Sequence, residues 1–138
     1  GYIIDGQTTD APILGVLNGI FYNDATTLKP TFANFYKQPI TPANSEDIDA
    51  FVFDNPQQQY VVATDDSVAQ SGYLETYDMN TSSGSDTTGK SNATLDIGDT
   101  SADAASFRLL RSAEDPENDE NAAFRSVVVV PNLIELQS

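Results

Sequence analysis

Turn-forming residues recur along this chain about every eight to twelve positions, and short runs rich in β-branched and aromatic residues lie between them. That rhythm leaves room for strands and for little else. A packed helix needs apolar residues at i, i+3, i+4 and i+7, and no window of the sequence sustains that stripe. The spacing therefore predicts an all-β fold over residues 1–138: one antiparallel β-sandwich or barrel with little helix. Predicted strands are Tyr2–Ile4, Ile13–Leu17, Ile20–Tyr22, Thr31–Tyr36, Ala50–Asp54, Gln59–Ala63, Tyr73–Met79, Ala93–Ile97, Phe107–Arg111 and Phe124–Val130. Single helical turns are predicted at Asp66–Ser71 and Ser101–Ala105. Arg125-Ser126-Val127-Val128-Val129-Val130 is the most β-branched stretch and reads as a strand buried on both faces. Asn80–Asn92 holds no core-forming residue and reads as an exposed loop.

The chain has 138 residues, a length typical of one domain and able to bury a core without staples. Cysteine and histidine are both absent, which removes disulfides, thiolate sites, His/Cys zinc centres and every histidine-based triad. A formal charge of −15 removes the basic footprint that nucleic-acid binding needs, and an anionic membrane surface would repel such a chain. No apolar run reaches the roughly 18–20 residues that span a bilayer as a helix. The opening Gly1-Tyr2-Ile3-Ile4-Asp5 reads like the end of a strand, so a native segment is expected to precede it.

Several motifs carry possible chemistry. Gly84-Ser85-Asp86-Thr87-Thr88-Gly89-Lys90-Ser91 matches the phosphate-loop pattern G-x-x-x-x-G-K-S/T letter for letter. That loop works only between a buried strand and a helix whose N-terminus faces the phosphates. Here the upstream residues are polar, and Asn92–Gly98 alternates with a period of two, which predicts a strand. The pattern reads as a hairpin loop, with no nucleotide and no other cofactor expected.

Glu114-Asp115-Pro116-Glu117-Asn118-Asp119-Glu120 is dense in oxygen donors of the kind calcium uses. An EF-hand loop starting at Asp115 would need Asp or Asn third and Gly sixth, where Glu117 and Glu120 stand. A solvated acidic turn is the plainer reading. Asp99-Thr100-Ser101-Ala102 approaches an aspartic-protease motif but lacks its glycine. A glycosidase carboxylate pair has no distinguishing signal in so acidic a chain, and without Trp there is no obvious sugar-stacking platform. No enzymatic activity is expected.

A resemblance emerges from motifs taken in order. Ile13-Leu14-Gly15-Val16-Leu17-Asn18-Gly19-Ile20-Phe21-Tyr22-Asn23-Asp24 leads to Thr27–Tyr36 and then to Ile48-Asp49-Ala50-Phe51-Val52-Phe53-Asp54-Asn55-Pro56. Ser85–Ser91, Phe107-Arg108-Leu109-Leu110 and Asp115-Pro116-Glu117-Asn118 follow. From about Ile13 to Val130 the series resembles head decoration, or cement, proteins of tailed phages, which are encoded near the major capsid protein. The resemblance implies a β-barrel or β-sandwich core, a place on the outer capsid surface of the virion, and the major capsid protein as partner. It also implies a homo-oligomer, with a trimer expected, and an N-terminal segment able to reach a neighbouring subunit. Expected contact residues are Phe32, Phe35, Tyr36 and Lys37, although alternation within Thr31–Tyr36 must turn some of these rings inward. Lys29, Lys37 and Arg125 are expected to meet carboxylates on the partner. The competing expectation is a secreted or surface β-sandwich that binds carbohydrate or calcium.

Overall fold

The computed structural model describes residues 13–36, 40–80, 84–85, 87–100, 105–119 and 121–132. The predicted strand Tyr2–Ile4 lies outside them, as does all but the last residue of the helical turn Ser101–Ala105. Within the described residues the chain is all-β, as the turn spacing predicts. In chain order the strands are β1 (Val16–Asn23), β2 (Pro30–Ala33), β3 (Asp49–Phe53), β4 (Tyr60–Ala63), β5 (Thr76–Asn80), β6 (Thr94–Thr100), β7 (Phe107–Ser112) and β8 (Ser126–Pro131). Single 3-10 turns stand at Ala43–Ser45 and Gln70–Gly72. The second of these overlaps the end of the helical turn predicted at Asp66–Ser71.

The strands form two antiparallel sheets, a small one ordered β2-β1-β3 and a large one ordered β4-β8-β7-β5-β6. The edges of the large sheet meet. Thr64, just past β4, bridges Leu95 of β6 in parallel. The Asp65 amide donates to the Leu95 carbonyl at 3.1 Å, and the Asp65 carboxylate accepts the Ile97 amide at 2.9 Å. The sheet thereby curls in a barrel-like way that brings its two edge strands together at this point.

Its interior holds Val68, Tyr77, Leu95, Phe107, Leu109, Val127 and Val129. Alternation along β7 and β8 sends Leu109, Val127 and Val129 inward, where all three are fully buried. Burying each such side chain contributes roughly 1.5–3 kcal/mol. The Tyr60 and Phe107 rings meet edge to face at 6.4 Å. Ile13 also packs on this core, so the chain leaves the barrel before it enters β1. Buried polar groups are bonded: the Asp78 carboxylate accepts the Ser106 amide at 3.1 Å, and the Tyr77 hydroxyl donates to the Gly72 carbonyl at 2.9 Å. Burial, with the Glu75 carboxylate second, raises the Tyr77 phenol above its ordinary pKa.

Backbone conformation moves several strand ends from where hydrophobic pattern puts them. Only Val16 and Leu17 of the predicted strand Ile13–Leu17 are in β1, which continues through the predicted Ile20–Tyr22, and Asn18-Gly19 lies at a bulge in its pairing with β3. Gly19 fits there because an added Cβ would sit 3.0 Å from both the Ala33 carbonyl and the Phe32 ring. The predicted strand Thr31–Tyr36 ends at Ala33, where the chain bends. β5 and β8 start later than predicted because Leu74 (φ 69°) and Phe124 (φ 58°) are left-handed and cannot continue a strand.

A candidate protein-binding face on the small sheet

The two faces of the small sheet differ sharply. Phe21 stands opposite Phe32 across β1 and β2, Gly19 opposite Phe51 across β1 and β3, and Val16 opposite Phe53. Directly opposed residues share a face. Phe21, Phe32, Phe51 and Phe53 therefore rise from one side of the sheet. The Phe32 and Phe51 rings lie 5.8 Å apart, tilted by 33°, above the bare backbone of Gly19. Phe32 is 64% exposed, Phe51 46% and Phe53 47%. Ile20, pointing the other way, is only 2% exposed. Exposed aromatic surface of this kind makes the face a candidate for binding.

Carboxylates edge this face. Asp49 sits on it opposite Phe21, and Asp47 and Asp54 flank β3 on either side, all three exposed. Glu46 accepts a hydrogen bond from the Asn23 amide group at 2.7 Å. The same end of the sheet is closed by the β1–β2 turn. There the Asp24 carboxylate accepts the amides of Thr26 at 2.7 Å and Thr27 at 2.9 Å. Those bonds to the charged form, Thr27 first and Thr26 second, hold its carboxyl below the ordinary aspartate range.

Of the contact residues expected from sequence, Phe32 is the centre of the exposed face and Tyr36 is 46% exposed beyond the strand. Phe35 turns away and is half-buried, lying on Gly89. Lys37 lies outside the described residues. Sequence reasoning missed Phe51 and Phe53. Their period-two spacing was visible, but alternation fixes which residues share a side and not which side meets water.

Arg125 corrects an expectation. It is 3% exposed, its guanidinium donates to the Tyr73 hydroxyl, and its charge lies 5.5 Å from the Tyr73 ring centre. Such a cation is part of the barrel and cannot reach a partner's carboxylates.

The phosphate-loop residues join β5 to β6, so a strand follows them instead of a helix. The loop's amides are turned on itself. Ser85 donates to the Lys90 carbonyl at 2.9 Å, Gly89 to the Ser85 carbonyl at 2.8 Å, and Thr88 to the Ser85 hydroxyl at 3.2 Å. Gly89 is there for packing: its φ is +69°, and an added Cβ would sit 2.3 Å from the Phe35 ring.

The acidic run is likewise built for turning. Asp115 accepts the Glu117 amide at 3.0 Å, and Asp119 accepts the Asn121 amide at 2.9 Å. Asn118 ties the run down, donating to the Ser126 carbonyl and accepting the Ser126 amide, both at 2.9 Å. Among the described residues no group of three or more acidic side chains converges as a metal site would need. A depression of about 590 Å³ beside this run, lined by Tyr73, Arg111, Glu114 and Asp115, is wide open, and Arg111 pairs with Glu114 across 3.3 Å within it. Among the described residues no helix is long and apolar enough to cross a membrane.

Comparison with protein-family models, with curated proteins and with solved structures returned no match.

Proposed function

We propose that this chain is a non-enzymatic decoration protein of a phage head. It sits on the outer surface of the capsid and stabilises the lattice of the major capsid protein. The observation that carries the reading is the exposed aromatic face of the small sheet, held beside a barrel whose own core is closed. A domain that buries Val127, Val129 and Leu109 completely yet leaves Phe32, Phe51 and Phe53 about half or more exposed is built to be covered by another protein. The order of motifs that resembles phage decoration proteins names the partner. The charge of −15 keeps the chain off packaged DNA and favours the outside of the shell. Binding to the assembled lattice and not to its separated subunits stabilises the lattice by mass action. Trimers at threefold positions are the assembly we favour, since closed symmetric oligomers match lattice symmetry.

The test adds purified protein to expanded heads that lack it, then measures binding stoichiometry and the temperature at which DNA escapes. Stoichiometry matching lattice positions with a raised release temperature is expected. Absence of binding to any expanded head, or imaging that places the chain inside the shell or in the tail, overturns the reading.

A further inference from the structure

Among the described residues the outer strands of the small sheet, β2 and β3, are each paired on one side only, and the two edges are unlike. β2 is four residues long and starts with Pro30, a short, proline-marked edge of the kind that resists pairing. β3 has no proline and runs Asp49-Ala50-Phe51-Val52-Phe53, with Asp54 next. β1 pairs with one side of β3, and among the described residues no strand pairs with the other. Beside that free edge stand the half-exposed rings of Phe51 and Phe53.

We propose that the β3 edge takes an extended segment of a partner protein as an added strand, and that the segment is apolar in its middle and carries Lys or Arg toward its ends. Main-chain hydrogen bonds to a free edge supply affinity in this mode, and side chains on either face supply specificity. Apolar residues of the segment extend the shelf formed by Phe51 and Phe53. Its cations meet Asp49 and Asp54, which bracket the apolar run.

Charge chooses the occupant. Asp47, Asp49 and Asp54 are exposed, and the Arg111–Glu114 ion pair lies elsewhere. A second copy pairing edge to edge would bring a second set of these aspartates against the first, and like charges set opposite one another destabilise a strand pair. Two molecules of charge −15 also repel on approach. The same aspartates that bar self-pairing attract a basic strand. The expected polarity of attachment is thereby reversed: this chain supplies carboxylates and the partner supplies cations.

The inference deepens the attachment role proposed above and rests on that reading only for the partner's identity. A display library of random linear peptides is selected against the purified chain. Enriched peptides should be cationic with an apolar centre. Their affinity should fall about tenfold or more on charge reversal in Asp49→Lys/Asp54→Lys. Phe51→Ser should weaken them as well. Both sets of substitutions lie on the surface, and circular dichroism checks that the variants are folded. Raising salt from 0.1 M to 1 M, which shrinks the Debye length from about 10 Å to about 3 Å, should weaken the same peptides.

Enriched peptides that are neutral or acidic, binding indifferent to Asp49→Lys/Asp54→Lys, or no enrichment at all overturns the inference. Expanded heads separate the two readings. Heads that bind the charge-reversed chain as well as the original remove the edge and leave decoration standing. Basic peptides that bind at β3 while heads do not remove decoration and leave the edge.

Discussion

The barrel and the small sheet are made from the same residue types and held together by different means. In the barrel, valines, leucines and aromatics on β5 to β8 face one another across a closed interior, and burial supplies the stability. In the small sheet, phenylalanines on all three strands form a face that nothing in the described chain covers. What fixes that sheet is largely local, the Asp24 turn and the bulge at Gly19, together with the long-range seat of Phe35 on Gly89. The same alternation of apolar residues therefore builds a core in one region and a docking surface in the other, and only the path of the rest of the chain decides which.

Replacing one apolar side chain in each region tests that contrast at its largest. Val129 is fully buried inside the barrel, and Val129→Asp strands a carboxylate there without a partner. The expected loss is about 4 kcal/mol or more, a large share of the roughly 5–15 kcal/mol that holds an ordinary domain folded. Phe51→Ser on the exposed face is expected to cost about 1 kcal/mol or less, mostly the Phe32 ring contact. Denaturant midpoints of the two variants measure both. Equal losses would mean that the aromatic face is a covered core after all. Val128→Asp is a useful intermediate. That side chain is 5% exposed yet alternates away from the interior, pairing across with Val61 and Arg111. Its loss should fall between the other two.

The junction between the regions gives a smaller effect. Gly89 carries both a left-handed φ and the Phe35 ring. Gly89→Ala should cost roughly 1–2 kcal/mol for the backbone alone, with the ring overlap in addition, and lower Tm by roughly 4 °C or more. Lys90 is exposed, so Lys90→Ala should stay within about 0.5 kcal/mol of the original protein. Calorimetry of the pair checks whether the phosphate-loop letters serve packing. A Lys90→Ala loss as large as that of Gly89→Ala would give the lysine a structural role that its exposure does not suggest.

How much of this was legible in the sequence follows from which forces are local. Turn spacing placed the strands because Gly, Pro, Asn and Asp act on their own backbone. Arg125–Val130 read as buried on both faces, and Arg125, Val127, Val128 and Val129 are buried while Ser126 and Val130 are half-buried. Asn92–Gly98 read as a strand after the phosphate-loop pattern, and β6 stands there. What stayed hidden depends on distant partners. Nothing near Thr64 announces its bridge to Leu95, which closes the barrel from 31 positions away. Leu74 and Phe124 carry strand-like side chains, and their left-handed backbones are imposed from outside. Phe32, Phe35 and Tyr36 were read as one contact run, but the bend after Ala33 separates them. Phe32 stays on the face, Phe35 turns onto Gly89, and the residues that complete the face are Phe51 and Phe53, supplied by β3.

The smallest expected effect concerns the turn that holds the small sheet. The Asp24 carboxylate accepts two backbone amides, while the Asp24 carbonyl accepts the Leu28 amide at 2.9 Å. Leu28 is left-handed at φ 54° and 76% exposed, so the turn pays a backbone strain that its hydrogen bonds must offset. The Asp24 carboxyl is lowered in the folded state, chiefly by the Thr27 amide and then by Thr26. A group with a depressed folded pKa adds stability above its unfolded value and loses it as pH falls through the lowered one. The β1–β2 turn should therefore be tight at neutral pH and loosen in acid, starting near the ordinary aspartate range and finishing below it. Because Asp24 lies in a partly exposed surface turn, the change should be confined to the turn and leave the barrel folded. Hydrogen exchange at the Leu28 amide, followed by NMR as pH falls, reads it directly. Protection should decline in step with protonation of Asp24, and Asp24→Asn, which keeps the acceptor oxygen without the charge, should flatten that dependence. An Asp24 that titrates in the ordinary range, with Leu28 protection unchanged, would show that the turn does not depend on the charge and that the small sheet is held by something other than its turns.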